Sequence, residues 1–542
     1  MLPARADFPG IGREPSVANL TELQAASSFS FPFGVWRLTY GNGNGAPPLF
    51  YQPSNSACSL NAGAGDNGSQ VQSADGKCWL AQFPIGVADP REFGADPTGV
   101  SDSAAAFTAA AAATGAVQFS AGTFKFASAP TVTGSLSLLG AGTEQTKLLF
   151  PTGNGLTVNL SSALQTVHVR DLSFVTGAAA AGTALGVNNT ALLGNVQKSD
   201  ITHVEFHGSD LGASGGCTNY WANGLVDNGV SNLDIASIDV ESCGGEAGTG
   251  VLVESTGGCC TIMVTVDKSF FLNLGVGFQY GPEVQGIFLT RNNFCCHGSG
   301  MGEAVYVPAG EVGGAQPLDQ LTITDNQFDV LWNAIDVRSP IQPLYVANNL
   351  FYISNGFSGV NFSPAIGSGP AIGSFAKIIG NDFAANTAGA GIGVSVSNMQ
   401  TGGSTQVIGN KFISLATGIS LASTSTNNLV ADNVFTSNTT AITDANTAAT
   451  DVIVNNPGYN PVGVTPATYA PASGATYTAG PSPETHYLTG GTVTAVKVPA
   501  AGNTLYSGTS ACGTAPCIVQ LGPNETMSVT YSGAPTDNKS VH

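Results

Sequence analysis

The sequence predicts an all-β chain whose main body is a parallel β-helix, and three observations carry that expectation. A short phrase recurs at intervals of 23 to 34 residues, apolar residues alternate inside each copy, and each interval holds a second short strand signal. The clearest copies are LTITDNQF ending at Phe328, LYVANNLF at Phe351, AKIIGNDF at Phe383, TQVIGNKF at Phe412 and LVADNVF at Phe435. Looser copies end at Phe174, Phe206, Val240, Phe270 and Phe294. Alternation puts residues two apart on one face of a pleated strand, and repeats of this length mean stacked coils. NAIDV around Ile335, SGVNF around Val360, AGIGV around Ile392 and TGISL around Ile419 supply the second strand. The Asn before each Phe (Asn292, Asn326, Asn349, Asn381, Asn410, Asn433) reads as a ladder that satisfies backbone groups at a tight turn, a scaffold role.

Composition agrees. Only 9% of residues are charged, 42% are apolar, and 70 Gly and 29 Pro punctuate the chain, which suits turn-rich β structure better than disorder. A net charge of −19 argues against a nucleic-acid partner. No apolar run is long enough to insert in a membrane. The opening MLPARADFPG has no apolar signal core, the mark of a processed chain or of one not exported by that route. Cys58 with Cys78 and Cys512 with Cys517 are regional pairs. Cys217, Cys243, Cys259, Cys260, Cys295 and Cys296 cluster, and the even number favours disulfides in an extracellular setting over zinc.

In chain order, residues 1–84 form a small module. PSVANLTELQAA reads as a short helix, GVWRLTYGNGNGAPPLFYQP as a hairpin about a Gly-Asn turn, and DNGSQVQSADGKCWLAQF as a further strand pair. Residues 85–455 form the capped helix, with an Ala-rich segment after Asp102 that a Ser or Asp side chain starts and that plugs the open end of the stack. Residues 456–542 alternate as strands between Gly-rich turns, a compact β domain.

The specific residues lie at that entry. Phe93-Gly94-Ala95 with Asp96, Gly99 and Asp102, the helix, Val117-Gln118-Phe119, Ala121-Gly122-Thr123-Phe124, and then SLSLLGAGTEQTKL resemble the entry to pectate-lyase-like right-handed parallel β-helices, phage tailspikes among them. Ser120 stands where that pattern has Pro, and Phe124 where it has Tyr, without changing the turn's logic. The module before it and TYTAGPSPETHYLTGGTVTAV with LGPNETMSVTYSGAPT after it also resemble tailspike modules. The resemblance implies a homotrimer on a virion tail, joined to a tail or baseplate protein through residues 1–84. It also implies binding, and cleavage, of a bacterial surface polysaccharide outside the host cell, with no cofactor. A non-enzymatic spike, a polysaccharide lyase and a secreted bacterial carbohydrate-active enzyme are the alternatives.

If the Phe anchors point inward, the residues on either side point outward. The preceding column reads Ser173, Glu205, Asp239, Ser269, Asn293 and Gln327, and the following one Val175, His207, Glu241, Phe271, Cys295 and Asp329. Adjacent coils lie roughly 4.8 Å apart, so Glu205 and Asp239 are neighbours, with Glu241 about 7 Å along the strand. Glycosidic cleavage needs two carboxyl groups, about 5 Å or about 6.5–9.5 Å apart. Glu205, Asp239 and Glu241 are therefore the first catalytic candidates, and Asp325 and Asp329, grouped with Asp336 around Trp332, are the rivals. Trp332 is placed to stack on a sugar. Tyr220 and Trp221 in the 208–227 loop, and Tyr306 with His297 and Glu303 on an excursion, are expected as groove walls. Arg291 is the cation for a uronate or, more simply, an ion-pair partner of Asp325 on the next coil. No metal motif is present.

Overall fold

A computed structural model describes residues 15–41, 43–189, 197–213, 216–243, 247–255, 261–295, 301–310, 318–364, 374–398, 403–446, 450–459, 465–468, 470–513 and 515–541. His297, Cys259, Cys260 and Cys296 lie outside them. The chain is a right-handed parallel β-helix and divides into two compact units, Met1–Thr265 and Val266–His542.

The first unit opens with a five-stranded sheet in the order Ser16–Val17, Val35–Arg37, Leu49–Ser54, Cys78–Gln82, Gln70–Gln72. The expected hairpin is there, with Val35 opposite Tyr51 and Arg37 opposite Leu49. Leu23, Tyr51, Val71 and Trp79 fill its core, and a Cys58–Cys78 disulfide staples it. Arg37 is buried, donating to the carbonyls of Glu92 (2.7 Å) and Asn67 (3.2 Å). These two bonds offset much of the cost of burying a guanidinium, whose Nε is left without an acceptor.

The entry helix, Ala104–Thr114, starts on Asp102, not on Ser103: Oδ1 of Asp102 accepts from Ala104 N (3.1 Å) and from Ala127 N (2.9 Å). Its Phe107 packs on Phe119 and Phe126 with ring centroids 5.8 and 5.7 Å apart, closing the first coil with apolar mass. Parallel strands then stack in register: Phe174 beside Phe206 beside Val240, and Ser173 beside Glu205 beside Asp239. A second sheet runs through Leu156–Leu160, Ala181–Asn189, Trp221–Asn228 and Thr249–Glu254.

In the second unit the repeat is regular. Six successive ring contacts join Phe271, Phe294, Phe328, Phe351, Phe383, Phe412 and Phe435 at centroid separations of 4.5 to 5.2 Å. The anchor of its coil is Phe271, not Phe270, because Phe271 pairs with Phe294 and is fully buried. That shifts the outward columns there to Phe270 and Leu272. The Asn ladder forms and runs one rung further than expected. Oδ1 of each Asn accepts from both the backbone N and Nδ2 of the one before it, from Asn292 through Asn326, Asn349, Asn381, Asn410 and Asn433 to Asn456, at 2.8 to 3.0 Å. The residue ahead of each Asn has positive φ, 56° at Arg291 and 60° at Asp325, which turns the chain. Opposite the Phe stack the second sheet must be thin: a Cβ on Gly393 would fall 2.5 Å from the Phe412 ring.

The C-terminal part is a sandwich of two four-stranded antiparallel sheets around Leu488, Val496, Val519, Met527 and Val529, with a Cys512–Cys517 disulfide. Among the described residues no helix is long and apolar enough to cross a membrane.

Candidate active site

The first unit gathers Glu205, Asp239 and Glu241 as the alternation predicts. They line one cavity of about 170 Å³ with Glu144, His207, Phe206 and Leu211. Glu205 and Asp239 are direct partners on neighbouring strands, and Glu241 lies two positions on, on the same short strand, Asp239–Glu241. Phe206 and Val240 point into the core, so the flanking carboxylates must point out.

The ring of His207 is almost buried, at 8% exposure. Its Nδ1 lies 2.8 Å from the carbonyl of Gly208 and its Nε2 2.9 Å from Glu144 Oε1. Both partners are acceptors, which holds the ring in one orientation between the Gly208 carbonyl and Glu144. Glu144 also pairs with Lys147, at 2.5 Å. Burial opposes the charge on Glu144, but Lys147 and His207 outweigh it and hold its carboxyl below the ordinary range. Ser173 accepts from the backbone N of Glu144 and donates to Glu205 Oε2, both at 2.9 Å, which fixes the Glu205 side chain. Asp239 differs: its Oδ1 is buried with no hydrogen-bond partner. Burial, then Glu241, then Glu205, push its carboxyl up to about 6 against the pull of His207. Burial likewise raises Glu241.

Glu144 and His207 were not among the catalytic candidates. His207 stands in the column after the Phe anchors, where alternation exposes it. Glu144 enters from a turn, at φ 59°, and no periodicity marks it. Glu144, Glu205 and His207 offer ligand atoms within 4.8 Å of one another, the one such group among the described residues that could hold a metal ion.

Several expected site residues sit elsewhere. Trp221 is buried, with its indole N–H donating to the carbonyl of Phe174 (3.2 Å) and its ring against Phe150, so it packs the loop onto its coil and cannot wall a groove. Tyr220 beside it is half-buried. The loop before it is fastened by a Cys217–Cys243 disulfide and by Asp210, which accepts from the backbone N–H groups of Thr218 and Asn219. Arg291 forks onto Asp267, at 2.6 and 2.8 Å, and not onto Asp325.

The rival acidic group is dispersed in the second unit. Asp325 lies in a turn, Asp329 ends Gln327–Asp329 in one sheet, and Asp336 belongs to Ile335–Val337 in the other. Trp332 is 36% exposed on the connection. Glu303 and Tyr306 lie on a strand, Glu303–Val307, not on an excursion. Asp336 is fully buried and already satisfied by Arg338 (2.6 and 2.9 Å) and Asn361 (2.8 Å). Arg338 also covers the Tyr306 ring at 5.4 Å. Burial and Asp336 hold the Glu303 carboxyl well above its usual range. This cluster is a closed ion-pair network, in contrast to the open pocket at Glu205.

A protein-family model described as NosD, periplasmic copper-binding protein, matches residues 306–469. No curated protein matches. Among solved structures, the chain is similar to tailspike protein 2 of the Escherichia coli O157:H7 bacteriophage CAB120, at 12% identity and TM-score 0.49, over 98% of this chain and 77% of that one. It is also similar to tailspike gp49 of the Acinetobacter baumannii bacteriophage Fri1, described as a capsular polysaccharide depolymerase, at 11% identity and TM-score 0.46, over 98% and 100%. The A-module of the Azotobacter vinelandii mannuronan C-5 epimerase AlgE4 matches at 16% identity and TM-score 0.47, over 68% and 100%. The fold of the chain, a right-handed parallel β-helix, is given by its own stacked parallel sheets, and the structures it resembles are mainly phage tailspikes and parallel β-helix enzymes.

Proposed function

We propose that the chain is a virion tailspike that binds a bacterial surface polysaccharide and hydrolyses its glycosidic bonds in the Glu205 pocket. One observation carries the chemistry: Glu205 and Asp239 stand side by side on adjacent strands in a cavity, and their environments differ. Strand spacing of roughly 4.8 Å suits the shorter carboxyl separation, that of a retaining mechanism. Asp239, pushed up to about 6, is the acid that protonates the glycosidic oxygen. Glu205, held by Ser173, is the nucleophile that takes the anomeric carbon. Asp239, now ionised, then draws a proton from the water that releases the sugar. Elimination from a uronate is less well served, because among the described residues no Lys or Arg lines the pocket and the nearby Lys147 already engages Glu144.

The same reading makes residues 1–84 the attachment module to a tail or baseplate protein, 85–455 the catalytic helix and 456–542 a trimerisation or receptor domain. The test is a reducing-end assay on host surface polysaccharide, with ultraviolet absorbance monitored for unsaturated uronate. New reducing ends without absorbance are expected, and neither signal on a polysaccharide that the protein binds would leave a non-enzymatic spike. Light scattering tests the assembly, where a mass near 54.6 kDa would overturn the trimer.

A further inference from the structure

With Glu205 and Asp239 assigned to bond cleavage, Glu241 has no task, and its surroundings suggest one. Four carboxylates line the cavity against a single histidine, and the contacts of that His207 and of Lys147 go to Glu144. Glu205 takes the Ser173 hydroxyl. Among the described residues neither the Asp239 nor the Glu241 carboxylate makes a hydrogen bond or ion pair, and the buried Oδ1 of Asp239 is left without a donor. Burial disfavours the charge on Glu241 by more than His207 nearby favours it, so a donor that reached this carboxylate would count strongly. A uronate or sulfated sugar entering this space would meet like charge, and an uncharged sugar would supply only hydroxyl donors. An ammonium group supplies three N–H donors and the missing charge together.

Resting on the saccharide reading of this pocket, we infer that Glu241 selects a sugar bearing a free ammonium group, an unacetylated hexosamine, beside the cleaved bond. The carboxylate accepts a charge-assisted hydrogen bond from the ammonium while Asp239 and Glu205 flank the glycosidic oxygen and the anomeric carbon. The polymer recognised is then cationic or zwitterionic.

Calorimetric titration at pH 6, where such amines carry protons, tests this with chitosan hexamer and its fully N-acetylated counterpart as probes. The chitosan hexamer is expected to bind about tenfold tighter, with the margin narrowing as salt is added. Glu241→Gln should abolish the margin while leaving the melting temperature unchanged. Equal affinity for the two hexamers, no binding of the chitosan hexamer, or a margin that survives in Glu241→Gln would overturn the inference. So would saturation of the pocket by Mn²⁺ alone that blocks the hexamer. A Glu241-dependent margin without new reducing ends would uphold the ammonium site and sink the hydrolysis reading, so the two fail separately.

Discussion

Between Phe271 and Phe435 every coil solves the same problem in the same way, whereas between Phe174 and Glu241 the coils depart from it. In the regular stretch the position two before each Phe, from Phe294 to Phe435, is a buried Asn whose amide satisfies its neighbours and the turn. In the irregular stretch the same position holds Leu172, Val204 and Ile238, and Val240 interrupts the rings. The outward columns differ in density: Ser173, Glu205, Asp239 and Val175, His207, Glu241 put five polar or charged groups on three neighbouring coils, whereas the regular coils intersperse Gln327, Asp329, Asp382 and Lys411 with Leu350, Tyr352, Ala384 and Ile413. A repeat that is consistent at every level is scaffold, and the place where consistency fails is where a site belongs.

The largest effect expected concerns that failure. Glu205→Gln or Asp239→Asn should lower kcat by about a thousandfold or more, the scale for removing a nucleophile or general acid. Because each substitution also removes repulsion among crowded carboxylates, the melting temperature should hold or rise. A joint fall in activity and melting temperature would show that the carboxylates are scaffold. The regular stretch should behave in the opposite sense. Phe351→Ala opens a hole between Phe328 and Phe383, and denaturant unfolding should read a loss of about 3–5 kcal/mol. A loss below about 1 kcal/mol would mean that the rings do not act as a stack.

Asn381→Ala strands the backbone N–H of Asn349, whose amide keeps the carbonyls of Ile323 and Ala347, and should cost about 1–3 kcal/mol in the same measurement. Asn293→Ala, outside the ladder, should cost far less. The pH profile sharpens the site side. The acid form of Asp239 is the active one, so kcat/KM should fall as pH rises through about 6. Glu241 contributes to that shift, so Glu241→Gln should move the falling limb to lower pH.

The smallest effect is in the C-terminal sandwich, where buried charges are paired. His486 is held between Asp537 (2.7 Å) and Glu484 (3.0 Å). Burial opposes the charge on both residues. Bonds from His486 and Tyr477 nevertheless bring Glu484 down to about 2, and Asp537 and Glu484 hold His486 above its ordinary 6.5. The Glu484 contribution is present above its unfolded value of 4.5 and lost as pH falls toward about 2. The His486 contribution is complete below 6.5 and lost as pH rises through its raised value. Unfolding midpoints should therefore be highest between those limits, and His486→Gln should flatten the profile.

Much of this was legible in the chain. Period and alternation determine a stacked parallel sheet, because only one face of each strand can be buried, and they place Glu205 beside Asp239 by counting from the Phe anchors. The Asn before Phe determines its own ladder, since a buried amide must find a like partner on the next coil. Counting failed at Phe270 because two aromatics in sequence leave the inward one undetermined until the neighbouring coil chooses Phe271. It failed at Asp325, Asp329 and Asp336 because proximity in sequence crosses a turn and then divides between two sheets. Only the tertiary structure could bury Trp221 under its loop, bring Glu144 from a distant turn onto His207, and leave Asp239 without a donor. Those outcomes depend on which surfaces meet, and local pattern carries no information about the far side of a contact.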